Sequence, residues 1–146
     1  MAEAKLKSVS ILTALIDILQ ADSDVTDLTT TSRIFGFEVP KSEADSMPRS
    51  ACVLDPVPAG AVMNDYLPLS VYAVDIFNYG ARAQDAEQLQ RATHDALERV
   101  NRDIFSGIMV HSVLQDVTPN FGRDRDADWP FMLEGWVAQY ASVTVS

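Results

Sequence analysis

The sequence predicts an α+β domain: an antiparallel or mixed β-sheet with an N-terminal helix and one long helix packed on one face. Three observations predict it. Two segments repeat apolar residues at the three-and-four spacing of a helix stripe. Five others alternate with period two or form short apolar runs, the patterns of strands. The order is helix, two or three strands, long helix, two strands, which suits helices on one face of such a sheet. The 146 residues fit one domain spanning 1–146, at roughly 100–200 residues per domain.

The first helix is expected from Ser8 to Ala21, where Leu12, Leu15, Ile16 and Leu19 form one apolar face. Ser8 or Ser10 caps its start by accepting from an amide of the first turn. Asp22-Ser23-Asp24 breaks the pattern, and the Thr-rich stretch Val25 to Ser32, anchored by Leu28, reads as a turn leading to a strand. That strand is Arg33 to Val39, stopped by Pro40. Lys41 to Pro48 is polar and turn-like. Ala51 to Asp55 is a short apolar strand, and Pro56, Pro58 and Gly60 make Pro56 to Tyr66 a loop or hairpin excursion.

Leu67 to Tyr79 is the clearest internal strand. Tyr72, Val74 and Ile76 lie on one face and Leu69, Val71, Ala73 and Phe77 on the other, with Asp75 as an interruption. Apolar groups on both faces imply helices on one side and a subunit or loop on the other. Gly80 ends it. Gln84 to Asp103 is the strongest helix, with Ala86, Leu89, Thr93, Ala96, Leu97, Val100 and Ile104 on one stripe. Asp95–Arg99 and Glu98–Arg102 are expected i,i+4 pairs on its polar face. Ile108 to Gln115 is the next strand, Phe121 to Asp128 a charged loop, and Phe131 to Val145 a long last strand that extends past its sheet or bends at Gly135.

Composition excludes several classes. With 47% hydrophobic and 22% charged residues, 7 Pro and 6 Gly, the chain is neither disordered, collagen-like nor low-complexity. A chain of this length buries about two-thirds of its unfolded surface, so it needs no disulfide or metal staple. The single Cys52 excludes an intrachain disulfide framework and fits a reducing compartment. No apolar run approaches the ~18 residues of a membrane span, and the Met1 to Lys7 start lacks the apolar core of a signal peptide. Eleven Lys+Arg against 21 Asp+Glu give a net charge of −10, which disfavours nucleic-acid binding and anionic membrane surfaces.

No catalytic signature appears. Gly-x-Ser-x-Gly, His-Glu-x-x-His, P-loop and Gly-x-Gly-x-x-Gly are all absent. His94 and His111 have no acid or base partner nearby in sequence. Cys52, beside Val53 and Leu54, reads as a buried, inert thiol. Asp124, Asp126 and Asp128 have the i, i+2, i+4 spacing of a calcium loop, but Trp129 and Gly135 stand where such a loop needs Gly and Glu. Arg123 and Arg125 neutralise the acids, so no metal and no cofactor is expected. The same stretch is a candidate interface: Phe121, Arg123, Asp124, Arg125, Asp126 and Trp129, with Phe131, combine arginine and aromatics of the kind enriched where partners dock. Trp136 and Tyr140 share a face of the last strand, where core packing is one reading and a subunit interface the other.

The element order resembles the tail terminator, or tail completion and head–tail joining, family of long-tailed bacteriophages. Four stretches carry the likeness: the helix Ile11 to Ile16 with its acidic break at Asp22 and the strand Arg33-Ile34-Phe35; Pro48 to Leu54; the run Leu69 to Gly80 feeding into the helix Ala86 to Arg102; and the alternating strand Trp136 to Val145. The resemblance implies a non-enzymatic virion protein, made in the host cytoplasm and residing in the tail or neck. It implies a ring homo-oligomer, often a hexamer, whose partners are the tail tube protein and the head connector or neck protein. DNA would pass through the lumen without specific binding. Two other readings of the chain are another neck or head-completion subunit and a small dimeric α+β ligand-binding module.

Overall fold

In a computed structural model, the described residues are 10–30, 33–57, 70–105, 107–125 and 127–142. They form four helices and six strands in chain order: α1 (Ile11–Ala21), α2 (Ser23–Leu28), β1 (Ile34–Gly36), α3 (Lys41–Ala44), β2 (Ala51–Pro56), β3 (Ser70–Tyr79), α4 (Ala83–Glu98), β4 (Asp103–Phe105), β5 (Ile108–Arg123) and β6 (Pro130–Ser142). The expected α+β class holds.

Ser10 caps α1, its hydroxyl accepting from the Thr13 amide at 3.2 Å; Ser8 lies outside the described residues. Asp22 does break the helix, but it also starts another. Its Oδ1 accepts from the Asp24 and Val25 amides at 2.9 and 3.2 Å, so α2 replaces part of the expected turn. A second correction concerns the first strand. β1 is only Ile34–Gly36, because Phe37 turns into the left-handed region at φ 72°. Lys41–Ala44 forms the short α3 in the polar stretch. Of the expected excursion from Pro56 to Tyr66, residues 58–66 lie outside the described residues.

The long helix ends earlier than its apolar spacing predicts. α4 stops at Glu98, and Arg102 at φ 55° turns the chain into β4, which pairs with β5. Ile104 therefore belongs to an edge strand and is 63% exposed. The expected pairs along α4 are also rearranged. Arg99 Nη2 donates to Asp22 Oδ2 at 2.6 Å, tying α4 to the α1–α2 junction, and its Nε donates to the Asp95 carbonyl. Glu98 instead sits 3.3 Å from His94 Nε2, which corrects the reading that this histidine has no acid partner nearby in sequence.

The sheet order is β1-β2-β3-β6-β5-β4. β1 and β2 are parallel and the remaining pairs antiparallel. β5 is much longer than expected, because Phe121 to Arg123 remain paired with Pro130 to Met132. The length of β6 is thus matched by its neighbour. Three register shifts, each with the extra residue on β5, interrupt this pairing; such bulges bend and twist a strand. Val117, between two of them, packs on Gly135. A Cβ at Gly135 would stand 2.8 Å from the Val117 side chain. One face of the sheet, with Cys52, Leu54, Val74, Ile76, Val110, Val113, Trp136 and Ala138, joins α1, α2 and α4 in a single core.

Candidate assembly surface

Strand alternation sends the remaining side chains to the opposite face. Val53 pairs with Phe77, Ala73 with Val137, Phe77 with Leu133, Tyr79 with Phe131, Leu114 with Val137, and Ile104 with Met109. No described helix packs on this face. Leu114 is 60% exposed, Val117 42% and Ile104 63%. An apolar sheet face of this kind marks an interaction site more often than a lone exposed leucine does. It is the second apolar face that the β3 pattern foretold.

One end of this face is aromatic. The Phe77 and Phe131 rings meet edge-on at 5.3 Å, and Tyr79 meets both Trp129 and Phe131 edge-on at 5.8 Å. Phe77, Tyr79 and Trp129, with Phe37 and Val53, border a groove of about 380 Å³. Glu38, Asp55 and Asp124 also line it, and no cationic side chain is among its described lining residues. Burial, with the charge of Asp124, pushes the Tyr79 hydroxyl up to about 12. Further along, Asp55 pairs directly opposite Asp75, an unfavourable arrangement for like charges. Partial burial, then Asp55 and Asp116, raise the pKa of Asp75.

The sequence candidates divide among three places. Phe121 pairs with Met132, and Gly122 with Phe131, so Phe121 and Arg123 lie on the helix side of the hairpin tip. The Arg123 guanidinium sits 6.0 Å from the Phe121 ring centre and donates to the Asp128 carbonyl at 3.0 Å. Both were expected in a loop; they lie on a strand. Trp129 and Asp124 border the groove on the other side. Asp124 also closes the hairpin, its amide donating to the Trp129 carbonyl and its Oδ1 accepting from the Ala127 amide, each at 2.9 Å. Arg125 is exposed on the tip, and Asp126 lies outside the described residues. Trp136 is 1% exposed in the core, its ring 5.3 Å from His94. In the subunit its side chain packs within the core. Tyr140 is half-buried against the same core.

The sequence candidates left out Phe37 and Tyr79; Phe77 was placed on the second face of its strand without being singled out. The signal for the groove was the pair Phe77 and Tyr79, two residues apart on one strand face. Also missed was a polar chain inside the core. Cys52, Asn78, Thr93 and Glu134 are all fully buried. Gln90 Nε2 donates to Glu134 Oε2 at 2.6 Å, Thr93 Oγ1 lies 3.0 Å from Glu134 Oε1, and the Cys52 thiol donates to Asn78 Oδ1 at 3.3 Å. Burial raises the Glu134 pKa, opposed by Gln90, Trp136, Thr93 and His94. Burial and then Glu134 push the Cys52 thiol up, so it is a poor nucleophile. Gln90, at one end of this chain, also lines an open pocket of about 350 Å³ with Arg91, His94, Asp95, Gln115 and Pro119. Among the described residues, one group of His and acidic side chains brings ligand atoms within 4.8 Å of one another: His94, Asp95 and Glu98 on the outer side of α4. No described helix is long and apolar enough to cross a membrane.

No protein-family model matches the chain, and no curated protein matches it. Among solved structures it is similar to a chain of the virion of a native gene transfer agent particle. The TM-score is 0.66 at 15% identity, over 90% of this chain and 94% of that one. The two share a fold along nearly their whole length.

Proposed function

We propose that this protein is a structural subunit of a phage-like virion, acting as a tail terminator. It assembles as a ring, with six subunits the expected number, on the head-proximal end of the tail tube. There it ends tube growth and presents a surface to the head connector. The observation that carries this reading is the fold shared with nearly all of a virion chain.

The surfaces support it. A closed ring needs heterologous contacts, made by two different patches on each subunit. The open sheet face is one such patch. The hairpin tip, with Phe121 and Arg123 on the opposite side of the sheet, is a second and chemically different one. A net charge of −10 suits a lumen that DNA crosses without sticking.

The test is native mass over a wide concentration range, with negative-stain images of the same samples and added tail tubes. The expected result is a ring with a central hole, or a monomer that closes into a ring on tube ends and stops their growth. A stable dimer with no effect on tubes would overturn the reading and favour a ligand-binding module.

A further inference from the structure

The two sides of the β5–β6 hairpin tip carry complementary chemistry. On the open face, Phe77, Tyr79, Trp129 and the exposed Phe37 line the aromatic groove with Glu38 and Asp55, and no cationic side chain is among its described lining residues. On the helix side of the same tip stands Phe121, 49% exposed, with the Arg123 guanidinium 6.0 Å from its ring centre. Arg125, two residues further on, is also exposed. One patch is an aromatic floor edged by carboxylates. The other is an aromatic ring edged by guanidinium groups.

Within one subunit these patches cannot meet. Phe121 lies opposite Met132, so it points away from Phe131 and from the groove. A two-fold pair fails for the same reason, because both sides of one hairpin would have to face the same partner. What joins them is a front-to-back stack, each hairpin offering its Phe121 side to one neighbour and its groove to another. Such a head-to-tail contact closes into a ring when its rotation allows. Arg123 also donates to the Asp128 carbonyl at 3.0 Å and sits 3.6 Å from the Asp128 carboxylate. Both side chains of that ion pair are largely exposed, and a surface pair of this kind is easily exchanged for another carboxylate.

We propose that Phe121 of one subunit inserts into the aromatic groove of a second copy of this chain, with Arg123 and Arg125 against Glu38 and Asp55. Aromatic and arginine anchors seated in a desolvated pocket carry most of the energy of an interface. The edge-on ring contacts already present in the groove extend naturally to an incoming ring. The inference rests on the assembly reading in taking the partner to be a second copy. It requires neither six subunits nor a tail tube.

The test mixes two variants, each keeping one half of the contact. Phe121→Glu/Arg125→Glu removes the tip, and Phe37→Gly/Glu38→Arg removes the groove. All four side chains are exposed, and glycine suits the φ of 72° at Phe37. Isotope-labelled tip variant, titrated with unlabelled groove variant, is expected to show saturating shifts of its Trp129 indole N–H and Phe37 amide. Native mass of the mixture should show a heterodimer that grows no further. With unlabelled tip variant as titrant, no shift is expected. If either double variant does not fold, Glu38→Arg or Arg125→Glu alone should weaken self-association of the full chain by about tenfold; unchanged self-association in both overturns the inference. Absence of shifts in the mixture also overturns it, as do equal shifts with either titrant. Wild-type rings beside a silent mixture would leave the assembly reading standing without this contact. Shifts without wild-type rings, in solution or on tubes, would sink that reading and leave the contact standing.

Discussion

At Glu134 three acceptors converge on a single hydroxyl proton. Thr93 Oγ1 lies 3.0 Å from Glu134 Oε1, 2.9 Å from the Gln90 carbonyl and 3.3 Å from Asn78 Oδ1. A proton on Glu134 supplies the missing donor, which agrees with its raised pKa. The folded pKa lies above the unfolded one, so the stability linked to this group is full below the usual glutamate value, near 4.5. It is lost as pH rises through the folded pKa. Glu134→Gln accepts from Gln90 and donates to Thr93 without a charge. Its thermal midpoint should equal or exceed that of the wild type at pH 7, with less loss of stability as pH rises above about 4.5. Glu134→Ala strands Gln90 Nε2 and should cost at least ~1–3 kcal/mol in urea unfolding. At Cys52 the same enclosure predicts no reaction with a disulfide reagent at pH 8 until the protein is denatured.

Elements that obey one period were legible in the sequence; those shaped by a neighbour were not. α1, β2, β3 and the body of α4 follow from apolar spacing alone. The apolar stripe continued to Ile104, yet β5 offered an edge and the chain turned at Arg102 to pair with it. Phe121 to Arg123 look like loop by composition, but β6 is long enough to hold them in register. Asp22 announced an end to one helix, and only its contacts with the next amides reveal a beginning. The junction of β3 and α4 turns on Gly80. A Cβ there would meet Ala86 N at 2.4 Å, Arg82 O at 2.8 Å and Asp85 C at 2.8 Å, all backbone of the first turns of α4. No side chain can rotate away to relieve this. Gly80→Ala should destabilise by ~1–3 kcal/mol or more, read as a lower urea midpoint with an unchanged slope.

For the whole molecule, the decisive asymmetry is between the two faces of the sheet. One is sealed by α1, α2 and α4 in a single core; the other carries Leu114, Val117 and Ile104 into solvent. The double-sided apolar pattern of β3 already implied this second face. Its partners on β5 did not declare themselves, because three bulges reset which residues point outward. That is why the sequence candidates clustered at the hairpin tip rather than across the sheet. Leu114 separates folding from assembly. It is 60% exposed and lies opposite Val137 on the open face, so a charge there meets water in the lone subunit and would meet apolar surface in the proposed ring. Leu114→Glu should leave the unfolding free energy of the subunit within about 0.5 kcal/mol. In native mass measurements the same variant should lose self-association and tube capping, since an uncompensated buried carboxylate is strongly unfavourable. A variant that still forms rings would show that the open face is not the contact, and would turn attention to the Phe121–Arg123 side of the hairpin.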